Sequence, residues 1–505
     1  MEETKENKRA SKGKVIKKVL LYIVIYIVIA TSCGFDWAYD SFNKCNLEKI
    51  IFQLSEPLDG TSSEVVISGI LNTFGKSLLI LIGLNVLYAL LIKFLKNNLK
   101  IKEKNVSMIN LILVLLVIIG FCIYSWIKVD VGEYIKNIVT ASTFIEENYI
   151  DPKSVKITFP EEKRNLIFIV LESMEVSFMD QAHGGALDIN LIPEITKLME
   201  ENISFTNKED GLGGAQDVAG TGWTIGALAS ETTGLPLKVA GFNTANNPNE
   251  NFMPGAVGLG DLLEKEGYNQ LFICGSPIEF GGRDDFYRLH GNYEILDYNR
   301  AVEEKRYIGE KVNWGFPDYD LYEFAKQEIT RLSKESKPFN VTFLTVDTHH
   351  PIGYICKECT NEYDYEYYNV VRCASRQVGE FINWAKEQEF YDNTTIVILG
   401  DHPTMVSDPR LCITEDYTRT MVNVFINPII NDTNVDLKTS KQITSMDFYP
   451  TILSSIGVNI EGNKLGLGTN LFSNEKTLGD KFGISKMDKE INLRSEFYIN
   501  SILKD

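Results

Sequence analysis

Glu172 follows an apolar run at 165–171 (NLIFIVL), and Thr224 ends the stretch 220–224 (GTGWT). Asp401 and His402 follow a second apolar run, 394–399 (TTIVIL), across Gly400. Two carboxylates, an imidazole and a hydroxyl are donors that a manganese, magnesium or zinc ion accepts. A threonine hydroxyl is a weak nucleophile until a base or a metal activates it. The four residues are what a divalent metal needs around a hydroxyl nucleophile, and they predict a metal-dependent transfer enzyme.

Each piece has a plainer reading when taken singly. Glu172 could be a solvated acid at a strand end, although a carboxylate at the end of a buried strand is costly unless paired or ligating. Thr224 could simply cap the helix that 225–230 (IGALAS) suggests, and Thr221 and Thr232 offer the same hydroxyl chemistry. A hydroxyl at a helix N-terminus also meets free N–H groups and the positive end of the dipole, which favour an alkoxide and a phosphate. Of five histidines, His349 and His350 sit together in 347–351 (DTHHP). A histidine there could bind a phosphate oxygen or protonate a leaving group, while packing is the alternative for His350. Arg283 in 280–284 (FGGRD) is a candidate phosphate clamp, or else a partner of Asp284 or Asp285.

The elements that must position these residues read as alternating strands and helices. Apolar runs at 165–171, 270–274, 339–346 and 394–399 alternate with helical stretches at 192–200, 259–266, 319–334 and 376–388. That alternation predicts an α/β/α sandwich with a mainly parallel central sheet and function at the strands' carboxyl ends.

Ahead of it, 19–35, 66–92 and 106–127 approach or reach the length of a membrane-spanning helix, with Lys76 requiring an interface or a bundle interior. We divide the chain into a membrane anchor (1–127), an amphipathic connecting segment (128–164), a catalytic domain (165–475) and a C-terminal tail (476–505). Lysines and one arginine crowd the segment before the first span and the loop 93–104. Acidic Asp36, Asp40, Glu48, Glu56, Asp59 and Glu64 outnumber Lys44 and Lys49 after the first span. Positive-inside then predicts a multi-pass protein with a cytoplasmic N-terminus and an extracytoplasmic catalytic domain.

The net charge of −18 argues against nucleic acid as a partner. The eight cysteines include Cys356, Cys359, Cys373 and Cys412 on the outer side. In an oxidising compartment they read first as disulfides, with a zinc site as the alternative.

In order and form, 159–175, 220–225 (GTGWTI), 345–351 (TVDTHHP), 400–402 (GDH) and 445–453 (SMDFYPTIL) resemble the lipoteichoic acid synthase and phosphoglycerol transferase family of the alkaline phosphatase and sulfatase superfamily. The GTGWT and DTHHP forms resemble the phosphoglycerol transferases of periplasmic glucans, and 144–152 (FIEENYIDP) resembles members from Gram-positive bacteria. The resemblance implies one Mn2+ or Mg2+ ion on Glu172, Thr224, Asp401 and His402, and Thr224 as nucleophile. It places His349 and Arg283 at the phosphoglycerol group. It also implies a bacterial membrane enzyme that moves glycerol phosphate from phosphatidylglycerol to a glycan or glycolipid acceptor through a phosphothreonine. Polymerising synthases carry a tryptophan two residues before the arginine and an aspartate seven before it, where this chain has Gly281 and Ser276. Alternative readings are a phosphoethanolamine transferase, a phosphodiesterase or sulfatase-type hydrolase of the same fold, and a glycan-binding membrane protein without activity. A sulfatase needs a Cys/Ser-x-Pro-x-Arg setting; 373–376 (CASR) lacks the proline and follows the histidine motif.

Overall fold

The computed structural model describes residues 2–42, 45, 47–55, 63–238, 252–312, 314–437 and 439–504. Lys44, Glu56 and Asp59, read above for orientation, lie outside them. The chain divides into two units, one formed by 1–51 and 62–135 and the other by 52–61 and 136–505.

The first unit contains three helices long and apolar enough to cross a membrane, within Val15–Ser41, Val65–Leu99 and Glu103–Lys128. Large apolar side chains such as Leu79, Leu87, Leu116 and Ile127 point outward. Such a surface suits lipid better than water. Inward, Ile25, Ile29 and Cys33 meet residues of the other two helices, among them Leu84 and Val117. Lys76 is paired with Asp36 at 2.8 Å, and Lys128 reaches both Asp36 and Asp40. Acidic partners thus accommodate the lysine that interrupts the second apolar run.

The second unit is built on six strands: β1 (Asn165–Leu171), β2 (Asn269–Cys274), β3 (Glu294–Leu296), β4 (Phe339–Leu344), β5 (Thr394–Gly400) and β6 (Asn423–Ile426). Their order is β3-β2-β4-β1-β5-β6, parallel except for β6. Because β1 is central, its side chains alternate between two buried faces, which explains an apolar run without polar interruption. Leu166, Phe168 and Val170 face helices that include α2 (Thr224–Thr233), α3 (Arg283–Leu289) and α6 (Phe448–Ser455). Ile167, Ile169 and Leu171 face α1 (Pro193–Glu201), α4 (Asp318–Leu332) and α5 (Glu366–Lys386). The result is the expected α/β/α sandwich.

Register places the chemistry. Val170 lies opposite Leu344 on β4 and Leu399 on β5, and Leu171 lies opposite Gly400. Residues that follow these strands, Glu172, Thr345 and Asp401, therefore emerge side by side at one edge, on strands spaced about 4.8 Å apart.

Three elements differ from the expectation. The sequence pattern did not single out β3 or β6; both are short, and β6 is antiparallel at the sheet edge. α5 begins ten residues before the stretch expected to be helical, at Glu366 instead of Arg376. Residues 476–505, expected as a tail, form helices Leu478–Phe482, Ile484–Asn492 and Glu496–Ser501, and their Met487, Ile491, Tyr498 and Ile502 are buried in the core.

Candidate active site at the carboxyl ends of the strands

β1 ends in a turn whose Ser173 takes a positive φ of 54°, sparsely populated for a residue with a side chain. That turn directs Glu172 inward, and its backbone is held by neighbours. The Glu172 N–H donates to Thr345 Oγ1 at 2.9 Å, and Thr348 Oγ1 donates to the Glu172 carbonyl at 2.5 Å. Gly400 allows close approach: a Cβ there would lie 1.9 Å from the Met174 carbonyl oxygen. Its φ is not positive, so space rather than backbone freedom explains the glycine. An ion pair between the buried Glu175 and the half-buried Arg419 closes the assembly. Arg419 Nε donates to Glu175 Oε2 at 2.8 Å and Nη2 to Oε1, while the Thr404 N–H donates to Glu175 Oε1 at 3.0 Å. This pair ties the turn after Glu172 to the loop after His402; the sequence carried no signal for it beyond a buried-strand sequel.

α2 begins at Thr224, after Trp223 in extended conformation. Gly220, at φ 85°, turns the chain into it where any Cβ would strike Leu237. Thr224 Oγ1 lies 3.2 Å from Glu172 Oε2 and 3.3 Å from His402 Nε2. The competing hydroxyls are occupied: Thr221 Oγ1 donates to the Val218 carbonyl, and Thr232 Oγ1 donates to that of Leu228. His402 Nε2 is 3.6 Å from Glu172 Oε1 and 3.4 Å from Asp401 Oδ2. His402 Nδ1 donates to the Pro403 carbonyl at 2.9 Å, leaving the Nε2 lone pair toward the acids. Asp401 Oδ1 accepts from the Ser173 and His402 N–H groups, both at 2.7 Å.

Asp401 Oδ2 is buried and has no hydrogen-bond partner. Burial and the charge of Glu172 push the Asp401 carboxyl well above the usual range. For Glu172, burial alone would raise it, but His349, His402 and hydrogen bonds from Ser173 and Thr224 outweigh that and hold it low. Two acids, one of them with an orphaned oxygen, beside an imidazole lone pair and a hydroxyl, fit a divalent cation. Ligand atoms of Glu172, Asp401 and His402 lie within 4.8 Å of one another.

His349 sits on the loop after β4, where Asp318 and Asp347 cross-strap α4 to the loop. Asp318 accepts from the Val346 and Asp347 N–H groups at 2.7 and 3.0 Å. His349 Nδ1 donates to the His350 carbonyl at 2.8 Å, and burial lowers its pKa despite Glu172 nearby. His350 is buried, its pKa well below the usual value through burial and the two neighbouring histidines. Arg283 does not pair with Asp284 or Asp285. It is buried, with Nε donating to the Phe280 carbonyl at 2.8 Å and Nη2 to Ser276 Oγ and the Pro277 carbonyl at 2.8 and 2.9 Å. Ser276, the departure noted in the sequence, thus orients the arginine. Trp314 was missed in the sequence because it stands far from the arginine motif. Its ring lies 4.4 Å from His349 and 5.2 Å from Phe280, between centroids.

Residues 164–458, more than half of the 505-residue chain, match the sulfatase family. The chain belongs to that family. Among sulfatase-family relatives, phosphoglycerol transferase I of Salmonella paratyphi B is 31% identical over 258 residues, covering 49% of this chain and 32% of the relative. The chain thus spans about a third of the length of the curated relatives it matches. The integral membrane lipooligosaccharide phosphoethanolamine transferase A (EptA) of Neisseria meningitidis shares the fold at 13% identity and a TM-score of 0.50, covering 87% of this chain and 84% of its own. A structure of the lipoteichoic acid synthase LtaP from Listeria monocytogenes aligns at 19% identity and a TM-score of 0.49, covering 66% of this chain and 82% of its own.

Proposed function

We propose that the chain is a membrane-anchored, metal-dependent phosphoglycerol transferase. It takes sn-glycerol phosphate from phosphatidylglycerol and passes it to a glycan or glycolipid hydroxyl. The observation that carries this reading is the convergence on Thr224 Oγ1, at a helix N-terminus, of Glu172 and His402 at 3.2 and 3.3 Å beside the unpartnered Asp401 Oδ2. The name of the Salmonella relatives supports the group transferred.

Thr224 donates its hydroxyl hydrogen toward Glu172 Oε2 and attacks phosphorus. The Thr224 Oγ–P bond forms, the P–O bond to diacylglycerol breaks, and a phosphoglycerol-threonine remains. A divalent cation on Glu172, Thr224, Asp401 and His402, which we assign as Mn2+ with Mg2+ and Zn2+ as alternatives, supplies charge for the phosphoryl oxygens and lowers the hydroxyl pKa. The free N–H groups of the first turn of α2 face the same oxygens. Arg283 Nη1 clamps the phosphate, and Trp314 walls the glycerol beside His349. In the second half, neutral His349 Nε2 takes the proton of the incoming hydroxyl as the phosphothreonine bond breaks. Glu172 returns its proton to Thr224 Oγ1 as that bond breaks, and the imidazolium releases its proton to solvent, from which the departing diacylglycerol oxygen is protonated. We assign three crossings with the N-terminus inside, a bacterial cell-membrane location and an extracytoplasmic catalytic unit, from the basic flanks and acidic first loop. That assignment gives the enzyme a donor lipid in the leaflet it faces.

The test is release of diacylglycerol from fluorescent phosphatidylglycerol in mixed micelles by the full-length protein with Mn2+. Thr224→Ala should lower release to background with the Tm in chelator unchanged. Release by that variant at the wild-type rate would remove Thr224 from the mechanism.

A further inference from the structure

The loop that follows His349 and Pro351 carries Cys356 and Cys359, and α5 carries Cys373. The structure brings these three together and leaves Cys412 exposed, outside the group. Cys356 Sγ lies 3.6 Å from Cys359 Sγ and 3.9 Å from Cys373 Sγ, and the three sulfurs all fall within 4.8 Å of one another. Sulfurs held at about 2.3 Å on the corners of a tetrahedron around one zinc ion stand about 3.8 Å apart. The two shorter separations bracket that value.

The surroundings match thiolates rather than thiols. Gln377 Nε2 donates to Cys373 Sγ at 3.3 Å and Arg376 Nη2 reaches the same sulfur at 3.5 Å. Donors of this kind orient ligating sulfurs and support their charge. Three thiolates and one divalent cation leave a net negative charge, which the guanidinium of Arg376 offsets. Cys356 and Cys373 are buried, whereas Cys359 is half-buried and leaves the group open to solvent on one side. A pair of cysteines with two residues between them, with the Cys359 N–H donating to the Cys356 carbonyl at 3.0 Å, makes a knuckle-like turn that presents both sulfurs together. A disulfide would use two sulfurs and strand the third beside them. One cation uses all three.

We propose that Cys356, Cys359 and Cys373 hold a thiophilic divalent cation of the zinc class, separate from the ion at Thr224. It staples the loop carrying His349 to α5. Soft sulfur ligands select zinc over manganese or magnesium, so the two centres sort their metals by chemistry.

The test uses the full-length protein in detergent. Isolated without added thiol or chelator, it should carry one zinc per chain, with all three cysteines alkylated once denatured in chelator. After reduction and metal stripping, Co2+ should produce sulfur-to-cobalt charge-transfer absorption in the near ultraviolet. That band should persist in Thr224→Ala and vanish in Cys359→Ser/Cys373→Ser. Co2+ binding without the band would overturn the proposal. So would an isolated protein two hydrogens lighter, in which two of the three cysteines alkylate only after reduction. Should the double variant fail to fold, the wild-type spectrum and alkylation pattern decide by themselves.

Discussion

Asp401→Asn separates the needs of the cation site from those of the fold. In the wild-type protein without metal, Asp401 Oδ1 is satisfied by two N–H groups while Oδ2 is buried without a partner, 3.4 Å from His402 Nε2. An asparagine keeps the accepting Oδ1 and places an N–H donor where Oδ2 stood, facing the His402 lone pair and the Glu172 carboxylate. The metal-free variant should therefore be at least as stable as metal-free wild type at neutral pH. The sign follows from linkage: a carboxyl whose native pKa is raised binds more protons folded than unfolded. Its contribution therefore declines as pH rises above the ordinary carboxylate pKa, toward its raised value. The asparagine lacks that decline, so the advantage of the variant should grow between about pH 4 and neutrality. With metal the order reverses. A cation at a thousandfold excess over its Kd stabilises wild type by about 4 kcal/mol. At about 2 °C per kcal/mol for a unit of this size, that is a rise in Tm of about 8 °C, which the variant should largely lose. The assay is thermal unfolding by intrinsic fluorescence, in chelator and in saturating Mn2+, from pH 5 to 8. A variant less stable than wild type in chelator, or one that keeps the full Mn2+ shift, would refute the reasoning.

Two further substitutions probe the shell. His349→Gln should lower transfer by about 10²–10⁴-fold while leaving Mn2+ affinity unchanged, because the role proposed for His349 is to move a proton and not to ligate; loss of Mn2+ binding measured by calorimetry would contradict that role. Arg419→Met leaves Glu175 as a buried charge with the Thr404 N–H as its remaining partner and should cost about 3–5 kcal/mol, much of it recovered in Glu175→Gln/Arg419→Met; a single variant whose Tm matches wild type would show that the pair does not tie the two loops.

Glu172, His349, Asp401 and His402 were legible because each follows a buried strand, and buried parallel strands announce themselves as uninterrupted apolar runs; Thr224 instead opens a helix after a glycine-rich stretch. Glu172 and Asp401 could be placed at one sheet edge from that pattern, and the sulfatase-family membership follows the resemblance carried by the motifs. Trp314 was not legible, because it reaches His349 from a loop far from the arginine motif in sequence. Glu175 and Arg419 were not legible either: each is an ordinary charged residue until the fold buries Glu175 and half-buries Arg419 against it. The reason for Gly400 was not legible, since its φ is not positive and the Met174 carbonyl is what excludes a side chain. The helices after 476 escaped notice because each is short and amphipathic, and their apolar residues make sense only against a core assembled from the rest of the unit. Ser276, a departure from the polymerising synthases, became intelligible only once its hydroxyl was seen to accept from Arg283.

Intact mass of the full-length protein after brief exposure to Mn2+ and phosphatidylglycerol, without acceptor, tests the central claim most directly. The account predicts a gain equal to one phosphoglycerol, mapped to Thr224, together with released diacylglycerol. Diacylglycerol released with the phosphoglycerol carried on another residue would contradict it, as would metal-replete protein that forms no adduct and releases none.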